Sequence, residues 1–199
     1  MQVFSLSGVF VSKWGTTGAG NGQFSTVSAL SMDSSTGWIY TAETGNQRVQ
    51  AFNGGVYQTT WGGAGSGNGQ FNYPSGISVN SASGRIYVTD RVNKRVQIFD
   101  RSGNFINKFG SAGSGDGQFN DPHGIYADST TGLVYVTDRV NNRVDVFDPN
   151  GVFIFKWGTS GNGNGQFAFP CGVSADEASQ TVFVADTNNN RIQVFKIHN

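Results

Sequence analysis

GSGDGQFNDPHGIYADSTTGLVYVTDRVNNRVDVFDPNGVFIFKWG occupies Gly113–Gly158, and its reading decides the fold. Four short runs stand out: GIYAD (Gly124–Asp128), LVYVTD (Leu133–Asp138), RVDVFD (Arg143–Asp148) and VFIFKWG (Val152–Gly158). Each is rich in Val, Ile, Phe and Tyr with partial alternation of apolar and polar residues, the pattern of a β-strand. Turn residues separate them: STTG, an Asn-rich turn, and PNG. Nothing in the stretch has the helical period with caps that an α-helix requires.

The same stretch recurs along the chain. Gly-Gln-Phe stands at Gly22–Phe24, Gly69–Phe71, Gly117–Phe119 and Gly165–Phe167, with spacings of 47, 48 and 48 residues. Asn-x-Arg-Val/Ile keeps step at Asn46–Val49, Asn93–Val96, Asn141–Val144 and Asn189–Ile192. So does an aromatic-Gly pair at Trp14-Gly15, Trp61-Gly62, Phe109-Gly110 and Trp157-Gly158. Four antiparallel strands per repeat of this length predict an all-β fold, a β-propeller of four-stranded blades. In such a blade the first strand lies near the axis and the fourth at the rim. The chain must then return inward across strands ~4.8 Å apart, roughly 14 Å in all. The glycine-rich segments (GSAGSGDGQF at Gly110–Phe119 and its three relatives) are long enough for that crossing, and glycine accepts positive φ without a Cβ clash. The phenylalanines that end them, Phe24, Phe71, Phe119 and Phe167, are expected to plug the space between blades.

Gly-Gln-Phe, Pro-x-Gly-Ile, Tyr-Val-x-Asp and Asn-x-Arg-Val in that order resemble the NHL repeat, and the resemblance covers essentially the whole chain. It implies a β-propeller, most often of six blades, where this chain has material for four. It also implies a choice of unrelated functions, because function resides in sites grafted onto a fold: protein- and RNA-binding platforms, bacterial sensor domains and a metal-dependent amidating lyase. The first repeat departs from the pattern, with Val27 for the proline of Pro74, Pro122 and Pro170, Ala29 for Gly76, Gly124 and Gly172, and Glu43 for Asp90, Asp138 and Asp186. Read as one domain over 1–199, the chain divides into units of about 2–48, 49–95, 96–143 and 144–191 with a final strand at 192–197.

Composition narrows the function. Thirteen basic and thirteen acidic residues cancel, which argues against a general electrostatic grip on nucleic acid or anionic lipid. One local excess exists: Arg85, Arg91, Lys94, Arg95, Arg101 and Lys108 form a candidate basic patch, with Asp90 and Asp100 among them. The single cysteine, Cys171, excludes an internal disulfide. No signal-like or membrane-spanning apolar run is present, so no membrane partner is expected and the cytoplasm is the default compartment.

Recurring groups read as structure. The Asp-x-x-Asn-x-Arg set, as in Asp90, Asn93 and Arg95, suits a turn braced by side-chain bonds and a charge-assisted arginine contact. The loop position of Asp116 is Asn21, Asn68 and Asn164 elsewhere, so the calcium-type carboxylate set is missing. The glycine pattern is followed by a strand, whereas a phosphate loop feeds a helix. Positions that differ between repeats are the better site candidates. Ser28, Ser75, His123 and Cys171 follow the repeat proline position, where the innermost strand begins at the mouth of the axial channel. The resemblance to the lyase places metal-holding histidines in such Pro-His contexts, but His123 has only the tail residue His198 as a fellow histidine, and a catalytic zinc takes three protein ligands. No cofactor, no metal and no catalytic set is expected, and the chain reads as not an enzyme.

The ends repeat one another. MQVFSLSGVFVSKWG resembles VQIFDRSGNFINKFG (Val96–Gly110), so the chain starts within a third strand and ends, at RIQVFKIHN, in another. The N-terminal fourth strand, about Val9–Trp14, is expected to complete the three-stranded last blade and close the ring. Gln2–Phe4 then duplicates Gln193–Phe195. Three explanations fit: Gln2–Phe4 displaced and frayed, an excerpt of a longer array, or two open chains closing through each other as eight blades. The favoured reading is closure between molecules. The leading function is a non-catalytic scaffold presenting loops to a protein partner. The alternatives are an RNA-binding propeller, and a designed or excised repeat protein with no ligand of its own.

Overall fold

The computed structural model describes residues 1–196. Residue 197 of the expected final strand and His198 lie outside the described residues. The chain opens with a hairpin, β1 (Gln2–Phe4) and β2 (Phe10–Lys13), followed by the short parallel pair β3 (Thr16–Thr17) and β4 (Gln23–Phe24). The first blade is β5 (Val27–Met32), β6 (Trp38–Glu43), β7 (Arg48–Asn53) and β8 (Val56–Gly62). The second is β9 (Pro74–Asn80), β10 (Arg85–Asp90), β11 (Arg95–Phe99) and β12 (Phe105–Phe109). The third is β13 (Pro122–Ala127), β14 (Val134–Asp138), β15 (Arg143–Phe147) and β16 (Phe153–Trp157). After the pair β17 (Thr159–Ser160) and β18 (Gln166–Phe167) comes a three-stranded blade, β19 (Pro170–Asp176), β20 (Thr181–Asp186) and β21 (Arg191–Lys196). Every blade is antiparallel in sequence order, and the only described helix is the 3₁₀ turn Thr187–Asn189.

The blades stack face to face like a propeller. Each has one face turned to the next blade and one to the previous blade, because side chains alternate across a strand. Tyr40, Ala42, Val49 and Ala51 of the first blade pack on Ile77, Val79, Ile86, Val88 and Phe99 of the second. Tyr87, Val96 and Ile98 of the second meet Ile125, Ala127, Val134 and Phe147 of the third. Tyr135, Val144 and Val146 of the third meet Val182 and Val184 of the fourth. Phe71, Phe119 and Phe167 are fully buried in these seams, as the sequence leads one to expect, while Phe24 is half-buried.

The glycine-rich segments are connectors held by the recurring polar set. In the second blade Arg95 Nε pairs with Asp90 (2.8 Å), and its other nitrogens donate to the loop carbonyls of Ser66, Gly67 and Gln70. Asn93 donates to Asp90 and to Gly65 O. Arg48 and Arg191 repeat the arrangement with Glu43 and Asp186. Charge-assisted bonds to carbonyls that no strand satisfies replace the missing backbone ladder. Glycine is required at Gly110, where φ is +95° and a Cβ would lie 2.6 Å from the Phe119 ring.

Ring closure within the chain is not what the structure shows. β2 pairs with β1 in a separate two-stranded sheet, in the register Gln2↔Lys13 and Val3↔Ser12, and β21 pairs only with β20. Gln2–Phe4 is therefore neither displaced nor frayed, and the last blade keeps a free edge. The hairpin lies against the outer part of the first blade through Trp14, whose ring is 6.4 Å from that of Phe52. Within one chain the β1–β2 hairpin is the pairing that costs the least loop entropy.

Candidate functional site

The four inner strands start with Ser28, Ser75, His123 and Cys171, and the structure brings these four residues together. They line one concave opening of about 370 Å³ whose floor is formed by Ile77, Ile125 and Val173 with Gly76, Gly124 and Gly172. The strands approach this closely because glycine follows the variable residue. A Cβ on Gly76 would sit 2.4 Å from His123 O, and one on Gly124 2.2 Å from Cys171 O.

Most polar atoms here already serve the scaffold. Ser28 Oγ donates to Ala42 O and Pro74 O, and Ser75 Oγ bonds Thr89 Oγ1 at 2.9 Å. Thr89 and Thr137 donate across the seams to His123 O and Cys171 O, both at 2.8 Å. Two groups remain chemically open to a visitor: the His123 imidazole and the half-buried Cys171 thiol. Burial holds the His123 imidazole below its usual range, and the Arg139 and Arg91 cations add to the effect, so it is neutral at pH 7. Cys171 Sγ sits 3.5 Å from Phe169 O, which fits a weak thiol donor. Among the described residues no three His, Cys, Asp or Glu side chains gather in ligating reach.

The six cations of the 85–108 segment are not one patch. Arg95 is buried in its ion pair with Asp90. Arg85 and Arg101 lie at one end of the second blade. Arg85 donates to Pro149 O, and Arg101 pairs with Asp33 at 2.6 Å. Burial raises the Asp33 carboxyl, but its bonds with Arg101 and Ser35 outweigh that and bring it down to about 2. Arg91 and Lys94 sit at the opposite end in the β10–β11 turn, where Arg91 pairs with Asp121 and Lys94 donates to Asn120 O. Lys108 is exposed on the rim strand β12. Strands that reverse direction every few residues scatter a contiguous run of charge to both ends and both faces of a blade.

Sequence reasoning missed the other end of the groove. There a second opening of about 360 Å³ is lined by Ser34, Ser81, Ser129, Tyr126 and Glu177. These belong to a ladder between blades: Ser34 N–H donates to Ser81 Oγ, Ser81 N–H to Ser129 Oγ, and Ser129 N–H to Glu177 Oε1. The signal was present as Glu177 standing where the other repeats have serine.

The NHL repeat model matches residues 71–99, 119–147 and 167–195. No curated protein matches the chain. Among solved structures, a nidogen/laminin complex is similar at 18% identity and a TM-score of 0.66, over 85% of this chain and 60% of that one. The WD40 repeats of RRP9 are similar at 14% identity and TM-score 0.60, over 86% and 51%. Hydrazine synthase of Kuenenia stuttgartiensis is similar at 14% and 0.61, over 85% and 49%. At these identities the likeness is one of fold alone, and the chain spans about half to three fifths of the structures it matches.

Proposed function

From the premise that this chain is an NHL-repeat β-propeller array, we propose that it is a non-catalytic binding scaffold whose concave inner face seats a protein partner. One observation carries the reading: Ser28, Ser75, His123 and Cys171, which differ between repeats, meet at one opening, while the recurring Asp-x-x-Asn-x-Arg set is consumed in holding blades and loops. The opening offers an apolar floor, a neutral imidazole and a thiol, which suits an apolar side chain flanked by a peptide bond. His123 shares the opening with Cys171, but among the described residues no third side chain forms a hydrogen bond that would orient its imidazole as a base, so the arrangement favours binding over nucleophilic chemistry. A photo-crosslinker attached to Cys171 tests it. Protein from a cell extract should be captured in excess over the same probe attached at Ser179→Cys in a Cys171→Ser background, and equal capture would contradict the proposal.

The RNA reading keeps one observation in its favour, the exposed Tyr73 ring beside Arg91 and Lys94 in a groove of about 360 Å³, since bases stack on aromatics near cations. Both cations are already engaged, which ranks this second. Filter binding at low salt tests it: retention lost on Tyr73→Ala would support it, and no retention at micromolar protein would end it. We also propose that the chain associates with itself through its ends.

A further inference from the structure

The two ends of the blade stack are unequal halves of the same seam. On the first blade the face that in every later blade receives the preceding one carries Leu30, Met32 and Ile39. Leu30 is 53% exposed, where its repeat counterpart Ile77 is 5% exposed. On the last blade the face that elsewhere covers the following blade carries Phe183, Ile192 and Val194. Val194 is 58% exposed, where its counterpart Ile98 is 1% exposed. The N-terminal segment covers only the outer part of the first face, through Trp14 and Phe24 against Phe52, and leaves Leu30 and Met32 of the inner strand β5 exposed.

We propose that these faces are docking surfaces for a second copy of this chain: the last blade of one copy packs on the first blade of the other, twice, to close a ring of eight blades. The inference rests on the self-association proposed above and specifies its surfaces and register. The occupant follows from continuity with the three internal seams, which use the same repeat positions. Polar ladders that stop at the ends also resume across the new seam. Val79 N–H donates to Ser31 Oγ and Ala127 N–H to Ser78 Oγ, so Met32 N–H of one copy meets Ser174 Oγ of the other. The serine ladder continues with Glu177 N–H donating to Ser34 Oγ. Packing blade on blade this way is head-to-tail, and two copies close it without leaving a free face.

Strand exchange completes the last blade. Its free edge, β21, calls for a fourth strand, and β2 is a fourth strand. One third strand is then surplus. β21 is held to β20 by six residue pairs, whereas β1 makes three with β2, so β1 yields. By analogy with Val96↔Phe109 and Ile98↔Asn107, Ile192 pairs with Trp14 and Val194 with Ser12 of the other copy. Covering β21 also removes an exposed apolar edge, which otherwise templates aggregation.

Light scattering and cross-linking test this together. Twice 21.2 kDa is expected at micromolar protein, and Leu30→Glu or Val194→Glu, both on exposed positions, should return the mass to 21.2 kDa with an unchanged circular dichroism spectrum. Opposed strand residues lie within disulfide reach. In a Cys171→Ser background, Ser12→Cys with Val194→Cys should give an interchain disulfide on oxidation with diamide. A mass of 21.2 kDa for the parent protein overturns both the register and self-association. Mass that grows with concentration without limit overturns closure. A stable dimer that ignores the Glu substitutions, or forms only an intrachain disulfide, overturns these surfaces while self-association stands.

Discussion

Asp145 stands where the other repeats have Gln50, Gln97 and Gln193, and replacing it with glutamine should stabilise the protein. The three glutamines each donate to a loop carbonyl, as Gln97 does to Gln70 O at 2.7 Å, and accept from a loop N–H, as Gln97 does from Gly69 at 2.9 Å. Asp145 is fully buried, its Oδ1 has no partner, and its Oδ2 takes Arg143 Nε at 2.8 Å. In the second blade the matching Arg95 Nε serves Asp90 instead. Burial, opposed by Arg143 and helped by nearby Asp138, pushes the Asp145 carboxyl up from 3.8 to about 6. A carboxyl held near 6 instead of 3.8 works against the fold by about 3 kcal/mol once it is ionised. The folded state binds the proton more tightly, so stability at this site is greatest below pH 4 and is lost as pH rises through about 6. Asp145→Gln should therefore gain about 2–3 kcal/mol at pH 7.5, raising Tm by roughly 5–10 °C for a chain of this size, and almost nothing at pH 4. Urea unfolding of parent and variant at both values reads the difference. A variant no more stable at pH 7.5, or a gain independent of pH, would refute the reasoning.

Phe119→Ala should cost about 3–5 kcal/mol in chemical denaturation, because a fully buried ring leaves a cavity between blades. Phe24→Ala, at the half-buried counterpart, should cost less than half as much. Arg95→Met leaves Asp90 buried without its cation and should cost about 3–5 kcal/mol; amide exchange should accelerate first in residues 65–70, whose carbonyls Arg95 holds. The His123 imidazole should titrate by NMR below its ordinary 6.5. The unfolded chain then takes the proton first, so His123 withdraws stability as pH falls below that value, and an unshifted midpoint would contradict its burial.

The fold was legible because a propeller repeats its geometry and therefore its chemistry. Gly-Gln-Phe marks where each chain return meets a seam, and Asn-x-Arg marks the clamp on that return. The strands read in the third repeat match β13 to β16 to within two residues at each end. The meeting of Ser28, Ser75, His123 and Cys171 was legible for the same reason: equivalent positions in a ring converge on its axis. Three things were not. The basic run from Arg85 to Lys108 looked like a patch because neighbours in sequence are separated in space when strands alternate direction. The serine ladder ending at Glu177 escaped notice because its function lies between blades, 47–51 residues apart. Closure within one chain failed as a sequence inference because identical end strands do not say which edge each will choose; local pairing of β1 with β2 decided it.

Binding belongs to the inner face around Ser28, Ser75, His123 and Cys171, and not to the glycine-rich loops and their clamps. Hydrogen-exchange footprinting of the protein with a partner captured at Cys171 tests it directly. Protection should concentrate in residues 75–77, 123–125 and 171–173. Protection confined to the glycine-rich loops, such as 110–118, with the inner strands unchanged, would contradict it.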